Sequence, residues 1–324
     1  MTSGAEEVRF RNGDVEIAAW QQGSGPPVLL LHGFPELAYS WRHQFEPLAK
    51  AGFQVVAPDQ RGFGDSSRPE RVEDYDIERL ASDAAAILDA VGGPAVVIGH
   101  DWGAPVAWHT ALRYPDKVRA VGSLSVPHAR RGSSPPLEAM RAAAGPEFIH
   151  YIDYFQTPGL AEAEFESDVR SSLLGFLWSI SGDAPREERF RPIPRGGRFI
   201  DSFRAPSSLP SWLSEQDLGV YVEAFRKTGF RGGLNWYRNV DRNWQLTADL
   251  AGAVVKQPAF FITGSRDPAR NPAAIERLPE LVPNLRLSRV LEGCGHWTQQ
   301  ERPHEVNACL VEFLRSLSDD SSTM

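Results

Sequence analysis

Cysteine is nearly absent: the 324 residues contain two, Cys294 and Cys309. They build no disulfide framework and lack the paired spacing of a metal site. A stapled secreted module and a zinc module are therefore excluded, no metal is expected, and a reducing cytoplasm is the expected compartment. No apolar run approaches the roughly eighteen residues of a membrane helix, so no membrane insertion is expected. The opening MTSGAEEVRF has neither a basic segment nor an apolar one, and does not read as a secretory signal. Basic residues are outnumbered, 34 Lys and Arg against 42 Asp and Glu, for a net charge of -8. That balance argues against nucleic acid as a partner. Internal repeats are also missing.

What remains is an ordinary globular composition, 42% hydrophobic and 23% charged, sufficient for one large core with an inserted subdomain. The first part alternates strand and helix signals. VEIAAWQQG, PPVLLLHG, FQVVAPD, PAVVIGHDWG and VRAVGSLSVP read as strands. DIERLASDAAAILDAVGG and APVAWHTALRYP have helical spacing. Short apolar runs separated by helices predict an α/β fold with a mainly parallel sheet covered on both faces. The rhythm breaks at about His128 and returns with QPAFFITGSRD, LRLSRVLEGCGHW and EVNACLVEFLRSL. The expected organisation is a core in two parts, 1–127 and 245–324, interrupted by a mostly helical cap at 128–244. Within that cap, SGDAPREERFRPIPRGGRFIDSFRAPSSLP reads as a solvated surface loop whose acids interleave with its arginines. The closing SDDSSTM reads as a frayed tail.

The chemistry concentrates on three positions. Asp101 lies between a buried strand and a helix in the frame GHDWG, the strand–turn–helix context of a nucleophile elbow. A helix N-cap is the bland alternative for such an aspartate. Asp267 follows a later strand in ITGSRD, and His296 stands on the loop GCGHWT; as bland alternatives, these two are a turn residue and a surface histidine. Taken together, the chain order nucleophile, acid, histidine is that of the α/β-hydrolase fold. LLHGFP after the second core strand would supply one oxyanion donor, the amide of Phe34, and the amide of Trp102 would supply the other. Phe34, Trp102, Trp297 and aromatics of the cap are expected to line an apolar pocket, with Trp297 alternatively in the core. Asp59, Arg61 and Asp65 read as loop-stabilising groups, and Cys294 as a small buried residue.

The segments HGFPELAYSWRHQ, PDQRGFGDSS, GHDWGAPVAW, YFQTPGLAEAE, GFRGGLNWYRNVDRNW and GCGHWTQQERP resemble soluble-type epoxide hydrolases of the α/β-hydrolase superfamily, over about residues 9–317. The resemblance implies an enzyme without cofactor that acts on a small apolar epoxide and water, as a monomer or homodimer. It implies two cap tyrosines directed at the nucleophile. The second corresponds to Tyr237; the first corresponds to Tyr151, with Tyr154 three residues away as the alternative. It also implies that Glu36 and His100 hold the hydrolytic water, unless they are structural.

An aspartate with an ordinary pKa near 3.9 is ionised at neutral pH and attacks without a base. Its fitting target is a saturated carbon bearing a leaving group, and the product is an alkyl ester of Asp101. Water activated by His296, which Asp267 orients, would then attack the ester carbonyl. An epoxide leaves as an alkoxide and needs a proton, which two phenols can supply; a halide needs none. The tyrosines therefore favour an epoxide over a haloalkane. Phe34 and Trp102 stand where dehalogenases of the two common kinds often have Asn and Arg, and Asp101 in place of serine disfavours an esterase. A non-catalytic binding protein on the same fold is the alternative from another class.

Overall fold

Strand β3 shows how the apolar runs become a sheet. In this computed structural model, which describes residues 4–321, Val28 and Leu30 face one layer of the core and Leu29 and Leu31 the other. The period of two leaves no polar face, as a strand covered on both sides requires.

The chain opens with β1 (Glu6–Asn12) and β2 (Val15–Gln22), an antiparallel pair. Next come β3 (Pro27–Leu31), α1 (Arg42–Lys50), β4 (Gln54–Pro58), α2 (Ile77–Ala90), β5 (Ala95–His100), α3 (Gly103–Arg113) and β6 (Val118–Leu124). The chain then leaves the sheet. This segment contains α4 (Pro136–Ala144), the two-residue strand β7 (Phe148–Ile149), α5 (Tyr151–Tyr154), α6 (Leu160–Ser167) and α7 (Val169–Ser179). It continues through β8 (Ile193–Pro194), α8 (Glu215–Thr228), α9 (Arg231–Arg238) and α10 (Val240–Leu246). Finally β9 (Ala259–Gly264), α11 (Pro272–Leu281), β10 (Leu285–Leu291), α12 (Thr298–Glu301) and α13 (Pro303–Ser321) complete the core.

The eight-stranded sheet has the order β1-β2-β4-β3-β5-β6-β9-β10. β2 pairs antiparallel with β4, and every later pairing is parallel. Trp41, Phe45 and Leu48 beside α1 pack with Val306, Leu310 and Phe313 of α13 on one face. Leu80, Ile87 and Leu88 of α2 pack with Val106 and Ala107 of α3 on the other. The second layer continues without a break into Phe165, Leu173, Leu177 and Leu234 of the segment between β6 and β9. Because β3, β5, β9 and β10 run parallel, the loops after them collect at one edge, where α/β sheets bind their ligands.

Two expectations change. The stretch 181–210 is irregular but not simply solvated: Ile193 and Phe199 are fully buried and Phe203 nearly so. Its charges do face out, as in the exposed Arg198–Asp201 pair. Its apolar residues recur between the charges and turn inward, since leaving rings of this size in water would cost about 1.5–3 kcal/mol each. The tail is not frayed from Ser318, because α13 continues to Ser321; residues 322–324 lie outside the described residues. No helix among the described residues is long and apolar enough to cross a membrane.

Candidate active site

Asp101 directly follows β5 and has a backbone φ of 49°, in the left-handed region. That conformation is costly for a residue with a side chain and marks a functional position. The flanking glycines make the turn possible: a Cβ on Gly99 would stand 2.0 Å from the Gly103 carbonyl oxygen, and one on Gly103 2.1 Å from that of Leu31. Asp101 does not cap α3 through its side chain. Its carboxylate instead receives the Phe34 amide at 2.9 Å on Oδ1 and His296 Nε2 at 3.3 Å on Oδ2. On the opposite side of the imidazole, Nδ1 lies 2.9 Å from Asp267 Oδ1. The Ala269 amide donates to that same oxygen at 2.8 Å. Three loops thus bring together the three residues singled out by chain order.

Electrostatics follow from this geometry. Burial pushes the Asp101 carboxyl up, but the hydrogen bond and charge of His296 outweigh it and leave the pKa below its ordinary value. Burial pushes His296 down, yet Asp267 and Asp101 together hold it well above 6.5. An imidazole between two carboxylates is an imidazolium while both carry charge.

The carboxylate and imidazole open into a cavity of about 150 Å³. Tyr151 and Tyr237 line it, with ring centroids 6.0 Å apart and planes at 74°. Burial, then the Asp101 charge, raises the pKa of both phenols, so both stay protonated at neutral pH. Tyr154 points elsewhere, donating to Glu164 Oε1 at 2.6 Å. The geometry therefore selects Tyr151 over Tyr154 as the phenol beside the carboxylate.

A family model described as the alpha/beta hydrolase fold matches residues 26–157. Epoxide hydrolase A of Mycobacterium tuberculosis is 48% identical over 303 residues, covering 93% of this chain and 94% of that protein. The bifunctional epoxide hydrolase 2 of Sus scrofa is 40% identical over 91% of this chain, which spans 52% of that longer protein. The solved structure of an epoxide hydrolase from an endophytic Streptomyces superposes with a TM-score of 0.95 at 44% identity, covering 98% of this chain and 97% of that one. The chain belongs to the epoxide hydrolase family of the α/β-hydrolase fold.

With the epoxide hydrolase family shown, the remaining site residues can be placed. Glu36 and His100 are fully buried behind His296 and do not line the cavity. Glu36 Oε2 accepts from the Gly33 amide at 2.9 Å and meets His100 Nδ1 at 2.6 Å; Oε1 accepts from Gln299 at 2.9 Å and Gln300 at 3.2 Å. Burial raises the Glu36 pKa, and His100 more than reverses this, so it ends below its ordinary value. Every acceptor position on Glu36 is taken by protein, and His100 Nε2 is spent on the His296 carbonyl at 2.8 Å. Holding a water, the role expected from the resemblance, is not open to these side chains in this arrangement.

Two pocket expectations are corrected. Trp297 is fully buried, donates its indole N–H to the Leu177 carbonyl at 2.7 Å, and packs against the His296 ring. Trp102 meets Tyr237 edge-on, with centroids 5.1 Å apart, and supports it from behind instead of lining the cavity. Phe34 does line it. Phe176 and Phe190 are the aromatics that the segment 128–244 contributes to the walls, and Ile180, Pro268 and Ala269 are the walls that sequence reasoning missed. Phe190 comes from the stretch read as solvated, and neither periodicity nor spacing marks it. Glu301 and Ser125 were also missed. The Glu301 carboxylate receives the amides of Gly182 at 2.9 Å, Gly295 at 2.8 Å and Trp297 at 3.2 Å, fastening the His296 loop to the end of α7. Ser125 Oγ donates to the His296 carbonyl at 2.7 Å. The motif QQERP contained a signal for Glu301: a carboxylate beside a glycine-rich loop with amides to satisfy.

The loop residues and Cys294 are structural, as read. Arg61 pairs with Asp83 at 2.7 Å, Asp59 accepts from the Ala38 amide at 2.8 Å, and Asp65 meets Lys227 at 2.5 Å. Cys294 is fully buried, and burial pushes its thiol pKa up, away from reactivity.

Proposed function

We propose that this chain hydrolyses small apolar epoxides to vicinal diols through an ester on Asp101. The observation supporting it best is the pairing of an ionised carboxylate at the elbow with two protonated phenols across a small cavity walled by Phe34, Phe176, Ile180 and Phe190. The kinship with proteins named epoxide hydrolases agrees with it. A haloalkane reading leaves the two phenols without a task.

In the proposed cycle an Asp101 oxygen attacks one epoxide carbon, the carbon–oxygen bond breaks, and Tyr151 and Tyr237 protonate the departing oxygen. Positioned acids of this kind typically contribute roughly 10²–10⁴-fold. His296 gives its proton to the phenolate left behind and becomes neutral; oriented by Asp267, it then takes a proton from water, and the hydroxide adds to the Asp101 carbonyl carbon. The amides of Phe34 and Trp102 hold the tetrahedral oxyanion, a role whose typical worth is about 10²–10³ per donor. In the free enzyme the Phe34 amide already donates to Asp101 Oδ1. The ester collapses, His296 gives its proton to the diol oxygen, and the carboxylic acid left at Asp101 passes its proton to His296, restoring carboxylate and imidazolium. Glu36, His100 and Ser125 position the backbone at His296 and do not meet substrate. Residues 128–244 serve as the cap that brings in both tyrosines, and 1–127 with 245–324 serve as the core.

The test is a single turnover in heavy-oxygen water followed by mass analysis of the peptide bearing Asp101. The proposal expects label in Asp101 and an unlabelled first-turnover diol. Label in the diol alone would show direct attack of water on the epoxide and would end the ester mechanism.

A further inference from the structure

A cavity larger than the catalytic one lies apart from it. A cleft of about 330 Å³ lies between α3, the connection leaving β6 and the end of α10, and it shares no residue with the catalytic cavity. Trp108, Leu112, Val126 and Leu281 make part of its wall apolar. No acidic residue lines it.

Two polar groups in this cleft lack the partners their chemistry calls for. The Arg131 guanidinium lies 3.8 Å from the Trp244 ring centroid, and its Nε donates to the Trp244 carbonyl at 3.0 Å. Its charge meets no carboxylate within ion-pair distance among the described residues. Stacking and one carbonyl fix the orientation of this planar fork while its terminal nitrogens stay available, the arrangement suited to bidentate carboxylate recognition. His128 is only 9% exposed, and its ring nitrogens make no hydrogen bond among the described residues. Burial lowers its pKa to about 4, so at neutral pH it is an uncharged imidazole able to donate or accept one bond. Its ring packs against that of Trp108 with centroids 5.5 Å apart on the cleft wall, where its nitrogens can meet a ligand atom.

We propose that this cleft is a second binding site, taking a small molecule with an apolar body and a carboxylate, whose charge is met by Arg131 and whose body rests on Trp108 and Leu112. The place matters because Arg131 lies on the chain leaving the sheet and Trp244 on the chain returning to it. α3, the third wall, starts two residues beyond Asp101. A ligand here ties both connections of the segment that bears Tyr151 and Tyr237 to the helix that follows the elbow. The site does not depend on the proposed epoxide chemistry.

The probe is 4-phenylbutyrate, compared with the uncharged 4-phenylbutanamide, titrated against the full chain by calorimetry. The indole N–H signals of Trp108 and Trp244 are followed in parallel by nuclear magnetic resonance. Saturable binding of the carboxylate at submillimolar to millimolar concentration is expected, with both indole signals moving. The amide should bind at least tenfold more weakly here, and Arg131→Met should weaken the carboxylate by about tenfold or more, the usual worth of a charged hydrogen bond. Arg131→Met, a half-buried surface change, should leave epoxide turnover unaltered without probe. Leu112→Trp, which fills the cleft, should abolish binding. Equal affinity for acid and amide, binding unchanged in both variants, movement of neither indole, or no saturable binding would each overturn the proposal. None of the overturning results is a turnover measurement, so failure here leaves the epoxide reading standing, and failure of that reading leaves this one.

Discussion

Replacing Asp101 by Asn tests whether the site changes its own histidine from acid to base. The amide side chain has the shape of the aspartate and the neutrality of its ester. His296 Nε2 stands 3.3 Å from Asp101 Oδ2; the imidazole is buried and the carboxylate half-buried. With an effective dielectric near 20, removing that charge withdraws about 5 kcal/mol of support for the imidazolium. At about 1.4 kcal/mol per decade, the titration midpoint of His296 should fall by roughly three to four on the pH scale. Asp267, 2.9 Å from Nδ1, remains and keeps the neutral ring correctly turned. The sign is fixed by the geometry: the native pKa is raised because two carboxylates favour the charged form, and losing one lowers it. The assay is nitrogen-15 resonance of the imidazole across pH 5 to 10 in both proteins, with mass analysis confirming that the introduced amide has not hydrolysed. A midpoint common to the two would show that Asp101 does not govern His296, and the acid-to-base account would be wrong.

Changing Tyr151 and Tyr237 together to Phe should slow single-turnover alkylation by at least 10³-fold while leaving hydrolysis of any ester formed within a few-fold, because only the first step needs a proton on the epoxide oxygen; unchanged alkylation by rapid quench would remove both from the mechanism. His296→Gln should accumulate the alkyl ester, seen as a mass increase of one substrate, and no such increase on rapid mixing would count against His296 as the base. Gly33→Ala should cost activity out of proportion to stability, since the added Cβ would stand 2.3 Å from the Asp101 side chain; equal losses in turnover and in urea midpoint would point to a folding defect alone. Finally, His128 has a folded pKa near 4 against an ordinary 6.5, so the unfolded chain binds the extra proton. Stability from this group is present above pH 6.5 and is lost as pH falls toward 4, by about 3 kcal/mol. His128→Gln should flatten the fall of Tm over that window, and an unaltered slope would deny His128 the effect.

The core was legible because its strands are covered on both faces. Val28 to Leu31 admit no polar residue, and a run of that length between turn signals has few other readings. The triad was legible because Asp101, Asp267 and His296 each follow a strand, and chain order specifies which loops meet. β1 escaped notice: it is an edge strand, exposed or half-buried throughout, so its sequence EEVRFRN shows no buried face. The pocket walls escaped for a different reason. Phe190 and Ile180 reach the cavity through tertiary placement alone, and an aromatic ring among arginines looks the same in sequence whether it ends on the surface or over the nucleophile. Glu36 and His100 were singled out correctly and placed wrongly, because sequence marks a polar residue near the site without telling which side of His296 it occupies.

The proton inventory of the proposed cycle explains why these parts belong together. In the free enzyme the site holds one proton beyond those of its phenols, on His296, between Asp101 and Asp267. Opening an epoxide requires one proton on the departing oxygen. Forming the ester also cancels the Asp101 charge, and with it one of the two supports that hold the proton on His296, the charge of Asp267 being the other. The proton demanded by the first step and the one released before the second are therefore equal in number, and the phenols need only pass it on. Burial makes this exchange effective: in a water-filled cleft the loss of Asp101's charge would be screened to a fraction of its size. It also explains the arrangement behind the histidine. A ring that changes charge in every cycle would tend to turn, yet Asp267 holds one edge, and Ser125 and His100 fix its backbone carbonyl. Glu301 fixes the amides on both sides of that residue. Charge can then leave His296 without its geometry leaving with it, so the ring is already placed for water when it becomes a base.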